Sequence, residues 1–333
     1  YNPLTNENPD ISLSAEERNI GGLGLYMVKQ SVNKMDYKYE NKQNTTMNIV
    51  ELRKLIEIWF NEDIQDGDHT SLSCISPSQQ GCQQLIIKED GILAGVEVAK
   101  EIIQVFDPTL RMEQLLHDGD KVKKGDIAFR VYGSELSLLQ VERTMLNIMQ
   151  RMSGIATTTH RYQALIEDTG CHVLDTRKTT PGLRLLEKES VKIGGGMNHR
   201  IGLFDMILLK DNHVDAAGSI TAALTQARDY CQRKHKDLRI EVETRNLDEI
   251  REALTTGIPD RIMLDNFDPQ RTREAVKLIR GWESEKRVEI ESSGGITLDT
   301  IRAYAETGVD FVSVGALTHS VKSLDMSFKV VKP

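Results

Sequence analysis

The chain has 333 residues, 39% of them hydrophobic and 28% charged, with a formal net charge of −8. An acidic balance argues against non-specific nucleic-acid binding, and no apolar run reaches the roughly eighteen residues of a membrane-spanning helix. Cys74, Cys82, Cys171 and Cys231 are scattered without CxxC spacing, so a reducing cytoplasm fits better than a disulfide framework or a structural zinc site.

Residues 1–48 read as an appendage. Their opening, YNPLTNENPD, is polar and lacks the basic-then-apolar order of a signal peptide. Over about residues 10 to 50 the sequence resembles the tail of a histidine-kinase-type ATPase domain, with GGLGLYMVKQ (Gly21–Gln30) as its second glycine box. The boxes that would hold Mg²⁺ and adenine are missing, so the piece reads as a truncated or read-through fragment without activity of its own. Met47 would then be the original start of the protein that follows; an ordinary helical extension is the plainer alternative.

From Ile49 a helix is predicted, because Ile49, Leu52, Leu55, Ile56, Trp59 and Phe60 share one stripe. A polar loop over 61–73 follows. QLIIKEDGILAG and HDGDKVKKGDIAFRVYG predict short strands; the second has the turn-strand pattern of biotinyl and lipoyl modules but no lysine in the modifiable hairpin, and reads as structural. ELSLLQVERTMLNIMQRMSG predicts a long helix whose methionines fill a core. Together residues 49–153 make an N-terminal α/β sandwich domain.

After Gly154 six apolar runs, CHVLDT, MILLKD, LRIEVET, RIMLDN, VEIESSG and FVSVGA, mostly alternate with helical segments. Strand and helix in turn imply a parallel sheet with crossover helices, here an incomplete, TIM-like α/β barrel over 154–318. No GxGxxG follows the first strand, which weakens a dinucleotide-binding reading. Residues 319–333 form a tail assigned to a return toward the first domain.

Each run stops on polar residues: Asp175 with Thr176, Arg177 and Lys178; Lys210 with Asp211; Glu243; Asp265 with Asn266; Ser292 with Ser293; and Gly315. Barrel active sites lie at the C-terminal strand ends, so these positions should converge on one mouth. Arg177, Lys178, Arg200 and Lys210, with His199 nearby, suit phosphate or carboxylate oxygens. Glu243 and Asp265 would repel such a ligand unless hydroxyl donors or a divalent cation stood between, which together with phosphate points to Mg²⁺. The glycine-bearing turns ESSGGI and SVGAL offer backbone N–H groups to a terminal phosphate. KIGGGMNHRIG reads as a loop able to wrap a ligand; His199 is a poor metal ligand, having no second histidine or cysteine at ligand spacing.

Read in order, ERTMLN, SGIAT, DTRKTTPGLR, GGGMNHRIGL, LLKDNH, EVE, LDNF, ESSGGI and GVDFVSVGALTHS closely resemble the nicotinate-nucleotide pyrophosphorylase (carboxylating) family, also called quinolinate phosphoribosyltransferase. The resemblance runs from about Ile49 to the C-terminus. It implies phosphoribosyl transfer from 5-phosphoribosyl 1-diphosphate to quinolinate with loss of CO₂, giving nicotinate mononucleotide and pyrophosphate in NAD biosynthesis. It also implies an N-terminal α/β sandwich on an incomplete barrel, working as a homodimer or an assembly of dimers with shared active sites.

By the same resemblance Arg177, His199, Arg200 and Lys210 form a clamp for the quinolinate carboxylates, with Thr176 beside them, and Arg143 reaches in from the partner subunit. Lys178 contacts the diphosphate. Glu243 and Asp265 face the ribose hydroxyls and Mg²⁺, through substrate or water. Ser293, Gly294 and Gly295, with Val314, Gly315 and Ala316, hold the 5-phosphate. Lys178, Glu243 and Asp265 are thus the expected catalytic groups.

Thr244 and Arg245 depart from the family pattern, which leaves the loop after Glu243 less defined. Two enzyme alternatives stand beside this one: a Schiff-base aldolase with Lys210 as nucleophile, and a phosphoribosyltransferase specific for nicotinate. A non-enzymatic module contacting a partner through the ATPase-like segment is the third.

Overall fold

The computed structural model describes residues 48–284 and 286–331, with the backbone of a two-residue β pair at Tyr39–Glu40 and Gln43–Asn44. Apart from that pair, the ATPase-like stretch up to residue 47, and Met47 as a start, lie outside the described residues. The chain separates into two units, Tyr1–Gln65 and Asp66–Pro333. In the first, helix α1 (Ile49–Asp63) starts where the Asn48 side chain accepts from the N–H groups of Val50 and Glu51, meeting two otherwise unpaired donors of the first turn. Leu52 and Ile56, one turn apart, are its fully buried residues.

The second unit opens with α2 (His69–Cys74) and the strands β1 (Gln80–Ile87) and β2 (Gly91–Ile92). Helix α3 (Val96–Phe106), strands β3 (Arg111–Gln114), β4 (Lys121–Val122) and β5 (Ile127–Ser134) follow. β1, β5 and β3 pair antiparallel, and so do β2 and β4. Val96, Ala99 and Ile103 lie at the 3–4 spacing of a helix and are buried, so α3 covers the layer with one apolar face. Asp118 from a loop accepts the Val96 N–H at 2.8 Å and caps that helix. Helix α4 (Glu135–Ala164), 30 residues, carries Met145, Met149 and Met152 in the core.

The barrel strands are β6 (His172–Leu174), β7 (Met206–Leu209), β8 (Arg239–Thr244), β9 (Arg261–Asp265), β10 (Glu289–Ser293) and β11 (Phe311–Ser313). Between them run α5 (Arg184–Ile193), α6 (Asp211–Ala217), α7 (Ile220–Arg233), α8 (Leu247–Thr256), α9 (Pro269–Arg280) and α10 (Ile301–Ala305). All six strands are parallel in the order β6-β11-β10-β9-β8-β7. The end strands β6 and β7 do not pair; a single bridge from Leu174 to Met197 fills part of the gap. The barrel is therefore incomplete, as the sequence pattern predicts. After α11 (Ala316–His319) the chain leaves the barrel, and β12 (Met326–Val330) pairs antiparallel with β1.

Strand residues alternate faces, and the alternation divides the barrel chemically. Ile240, Val242, Ile262, Leu264, Ile290 and Val312 point outward into the apolar core shared with the helices. The intervening positions point inward and, Met263 and Phe311 apart, are polar: Glu241 and Glu243 on β8, Arg261 and Asp265 on β9, Glu289, Glu291 and Ser293 on β10. Strands covered on both faces usually read as continuous apolar runs; this interior instead holds buried ions. No helix among the described residues is long and apolar enough to cross a membrane.

Candidate active site

A cavity of about 770 Å³ opens at the C-terminal strand ends. Parallel register sets Asp265 beside Ser293 and Thr244 beside Leu264, so side chains distant in sequence share one rim. Thr176, Arg177, Lys178, His199, Arg200, Lys210, Glu243, Asp265, Ser293, Gly294, Gly295, Val314, Gly315 and Ala316 all line it. Arg143 does not: it is exposed on α4 and, among the described residues, makes no ion pair.

The cationic side is built for an anion. Arg177 Nε is buried with no hydrogen-bond partner among the described residues. Arg200 is 7% exposed; burial first, and then the charge of Arg177, hold its guanidinium below the usual range. Two neighbouring guanidiniums, one buried and one half-buried, that repel each other gain most from a ligand carrying negative oxygens between them.

On the opposite rim the glycines serve close approach. Gly294 has φ +104, and a Cβ there would fall 2.2 Å from Asn266 Oδ1, so only glycine makes this turn. A Cβ on Gly315 would lie 3.1 Å from Lys178 Cδ, so its absence lets the lysine stem rest on the turn Val314–Ala316.

Glu243 and Asp265 form the acidic side. Burial, and then the charge of Asp265, push the Glu243 carboxyl up to about 7, while Lys210 acts the other way. Glu243 Oε2 is buried without a hydrogen-bond partner among the described residues. An adjacent carboxylate pair with an unpaired buried oxygen fits a hard divalent cation or a ribose diol.

A Glu raised in the folded state is protonated there while ionised in the unfolded chain, so its stabilising contribution is present below the ordinary carboxylate pKa and is lost as pH rises toward 7. In the ligand-free protein the melting temperature of wild type relative to Glu243→Gln should therefore fall between about pH 4.5 and 7. A difference that stays flat across that window would contradict the assignment.

Beneath the rim lies a buried ionic layer that strand-end reasoning misses. His199 Nε2 is 2.9 Å from Glu241 and 3.4 Å from Glu291, and Arg261 bonds Glu291 at 2.9 Å and Glu289 at 2.9 Å. Burial pushes the Glu241 carboxyl up. For His199, burial acts downward but Glu291 and Glu241 outweigh it and lift the ring to about 10. Yet the Arg200 N–H donates to His199 Nδ1 at 2.7 Å, which demands a lone pair there. That hydrogen bond puts the lone pair on Nδ1 and a ring proton on Nε2, the atom that faces Glu241 and Glu291.

His199, Glu241 and Glu291 offer ligand atoms within 4.8 Å of one another and could hold a metal ion. Arg261 already pairs with Glu291, which leaves less negative charge there for a divalent ion. The signal for these residues was present in the period-2 spacing of Glu241 with Glu243, of Arg261 with Asp265 and of Glu291 with Ser293. The departing residues Thr244 and Arg245 are held firmly: Thr244 Oγ1 donates to the Met263 carbonyl at 2.9 Å, and Arg245 bonds Glu249 at 2.9 Å and Asp215 at 3.2 Å.

Fold and cavity define an α/β-barrel protein with a cavity at its strand ends lined by cations, carboxylates and glycine turns, a lining suited to acidic, phosphorylated small molecules. Residues 68–153 match the family description "Quinolinate phosphoribosyl transferase, N-terminal domain" and residues 155–329 the corresponding C-terminal domain. The chain belongs to the quinolinate phosphoribosyltransferase family. It is 43% identical over 287 residues to a probable nicotinate-nucleotide pyrophosphorylase [carboxylating] of Bacillus subtilis, covering 85% of this chain and 95% of the relative. It is 42% identical over 295 residues to a mitochondrial quinolinate phosphoribosyltransferase [decarboxylating] of Nicotiana tabacum, covering 84% and 82%. The crystal structure of NadC from Streptococcus pyogenes superposes with a TM-score of 0.80 at 38% identity, over 86% of this chain and 100% of that one.

Proposed function

We infer that the protein transfers phosphoribose from 5-phosphoribosyl 1-diphosphate to quinolinate and releases CO₂, forming nicotinate mononucleotide and pyrophosphate for NAD synthesis. The observation that carries this is that the neighbouring guanidiniums of Arg177 and Arg200 and the carboxylates of Glu243 and Asp265 line one cavity. A dianionic acceptor matches the first pair and a ribose bearing phosphates matches the second. Release of CO₂ that requires both quinolinate and the phosphoribosyl donor tests the reading.

Each group takes a role from its position. Arg177, Arg200 and Lys210 grip the two carboxylates and aim the pyridine nitrogen at the sugar C1. The turns Ser293–Gly295 and Val314–Ala316 receive the 5-phosphate, fixing the other end of the donor. Lys178, over Gly315, stabilises charge gathering on the departing diphosphate. Glu243 and Asp265 accept from the ribose hydroxyls and stabilise the oxocarbenium-like sugar.

Mg²⁺, held by Glu243 and Asp265 through substrate or water, would neutralise diphosphate charge. After the nitrogen–carbon bond forms, the neighbouring carboxylate departs as CO₂ and leaves its bonding pair on the ring carbon, where the adjacent pyridinium charge stabilises it until that carbon takes a proton from water. Positioning rather than a dedicated base supplies the rate. His199 contributes through ring placement, since both its nitrogens face protein groups. A Schiff-base aldolase on Lys210 would leave Glu243, Asp265 and the arginine pair without work.

The exposed Arg143 is proposed to enter the cavity of a second copy in a homodimer. Mixing Arg143→Ala with Lys210→Ala chains should then restore up to about a quarter of wild-type activity, because one site in such a hybrid is intact. Inactive hybrids that demonstrably form would refute the sharing. A reducing compartment such as the cytoplasm is proposed from the four free thiols; a disulfide found by non-reducing mass spectrometry of the native protein would contradict it. Some plant relatives are named as mitochondrial or chloroplastic enzymes.

A further inference from the structure

The two halves of the cationic clamp come from separate loops: Thr176–Lys178 after β6, and His199–Arg200 after the glycine run. One carboxylate joins them. Asp175 is fully buried at the end of β6, two residues before Arg177. Its Oδ1 accepts from the His199 N–H at 2.9 Å and pairs with the Lys188 ammonium, and its Oδ2 accepts from Asn198 Nδ2 at 2.6 Å. Lys188, on α5 and 2% exposed, also donates to the His199 carbonyl at 3.1 Å. The Asn198 amide closes the ring by donating to the Lys188 carbonyl at 2.8 Å.

Every bond in this array ends on the backbone or side chain of a residue at or beside the clamp. Stability alone is a weak reason for it, because a buried ion pair loses solvation on both sides and apolar replacements of similar volume are often neutral or better. What the array does supply is a fixed distance. Arg177 and Arg200 repel, and two loops free to relax would let them separate.

We propose that Asp175, Lys188 and Asn198 are positioning residues that lock the Arg177 and Arg200 loops at the separation required by two carboxylates on one aromatic acid. The inference rests on the quinolinate reading above and deepens it. The brace acts chiefly on the acceptor: of the donor-facing groups only Lys178 shares a braced loop, and the proposed holders of the 5-phosphate and ribose lie on other strands.

The test compares steady-state constants for both substrates in Lys188→Met and Asn198→Ala. Lys188→Met keeps the side-chain length and removes the charge, and misplacing the clamp by about 1 Å is worth on the order of 10²-fold. The quinolinate KM should rise about 10- to 100-fold, with the donor KM within about threefold. Asn198→Ala, which leaves the ion pair in place, should raise the quinolinate KM about three- to tenfold and serves if Lys188→Met does not fold.

Arg280→Met is the control. It removes the 2.6 Å bond to Asp310 at the opposite end of the barrel and should lower the melting temperature without moving either KM. An unchanged quinolinate KM in the folded brace variants would overturn the proposal, and so would equal rises for both substrates. Wild-type protein inert toward quinolinate would overturn the functional reading instead.

Discussion

Lys178→Ala should lower kcat by about 10³-fold while the protein stays folded. The lysine is exposed at the rim, and its stem lies against Gly315, so its ammonium is free to take the proposed role at the departing diphosphate. A single well-placed donor or cation at such a point is worth roughly 10²- to 10³-fold, and more for a cation facing phosphoryl oxygens. The backbone at this residue is anchored independently: its N–H donates to Thr176 Oγ1 at 3.1 Å and its carbonyl accepts from Thr318 Oγ1 at 2.8 Å. Truncating the side chain therefore leaves the loop standing, and the stability change should stay within about 0.5 kcal/mol, as for ordinary surface sites. Pyrophosphate release and a melting curve check both halves. Activity within tenfold of wild type would remove Lys178 from the mechanism.

Asp265→Asn is the second large effect, an expected fall in kcat of about 10²- to 10³-fold. The substitution keeps shape and removes one charge from the face that receives the sugar. It also has a signature that a merely inactive protein lacks. After burial, Asp265 is the strongest charge holding the Glu243 carboxyl up, so in Asp265→Asn the Glu243 carboxyl should move back toward the ordinary carboxylate range. Carboxyl titration followed by NMR in the ligand-free protein reads this directly. A Glu243 resonance that still titrates near 7 in the variant would show that burial alone sets its acidity.

Much of this site is legible in the sequence because parallel strands leave little freedom. Once six runs alternate with helices, their C-terminal ends must share one side, and Thr176 to Lys178, Lys210, Glu243, Asp265, Ser293 and Gly315 meet there. The layer below was harder to see. Glu241, Arg261 and Glu291 sit inside strands where charge looks misplaced, and only alternation about Glu243 and Asp265 reveals that they face the same interior. The brace of Asp175, Lys188 and Asn198 depends on a lysine from the middle of α5. Helical spacing marks such a residue as one face of a helix without saying that the face is buried. Arg143 marks another limit: periodicity places it on the long helix, and the described chain leaves it outside the cavity.

The account stands on one claim, that a dianionic ring acid and a phosphoribosyl donor are held together at this rim. Quinolinate labelled in its 2-carboxylate, incubated with 5-phosphoribosyl 1-diphosphate and Mg²⁺, tests it most directly. The predicted result is labelled CO₂ and pyrophosphate in equal amounts, with neither released when one substrate is omitted. Labelled CO₂ without the donor, or pyrophosphate release with the label retained in the product, would contradict it.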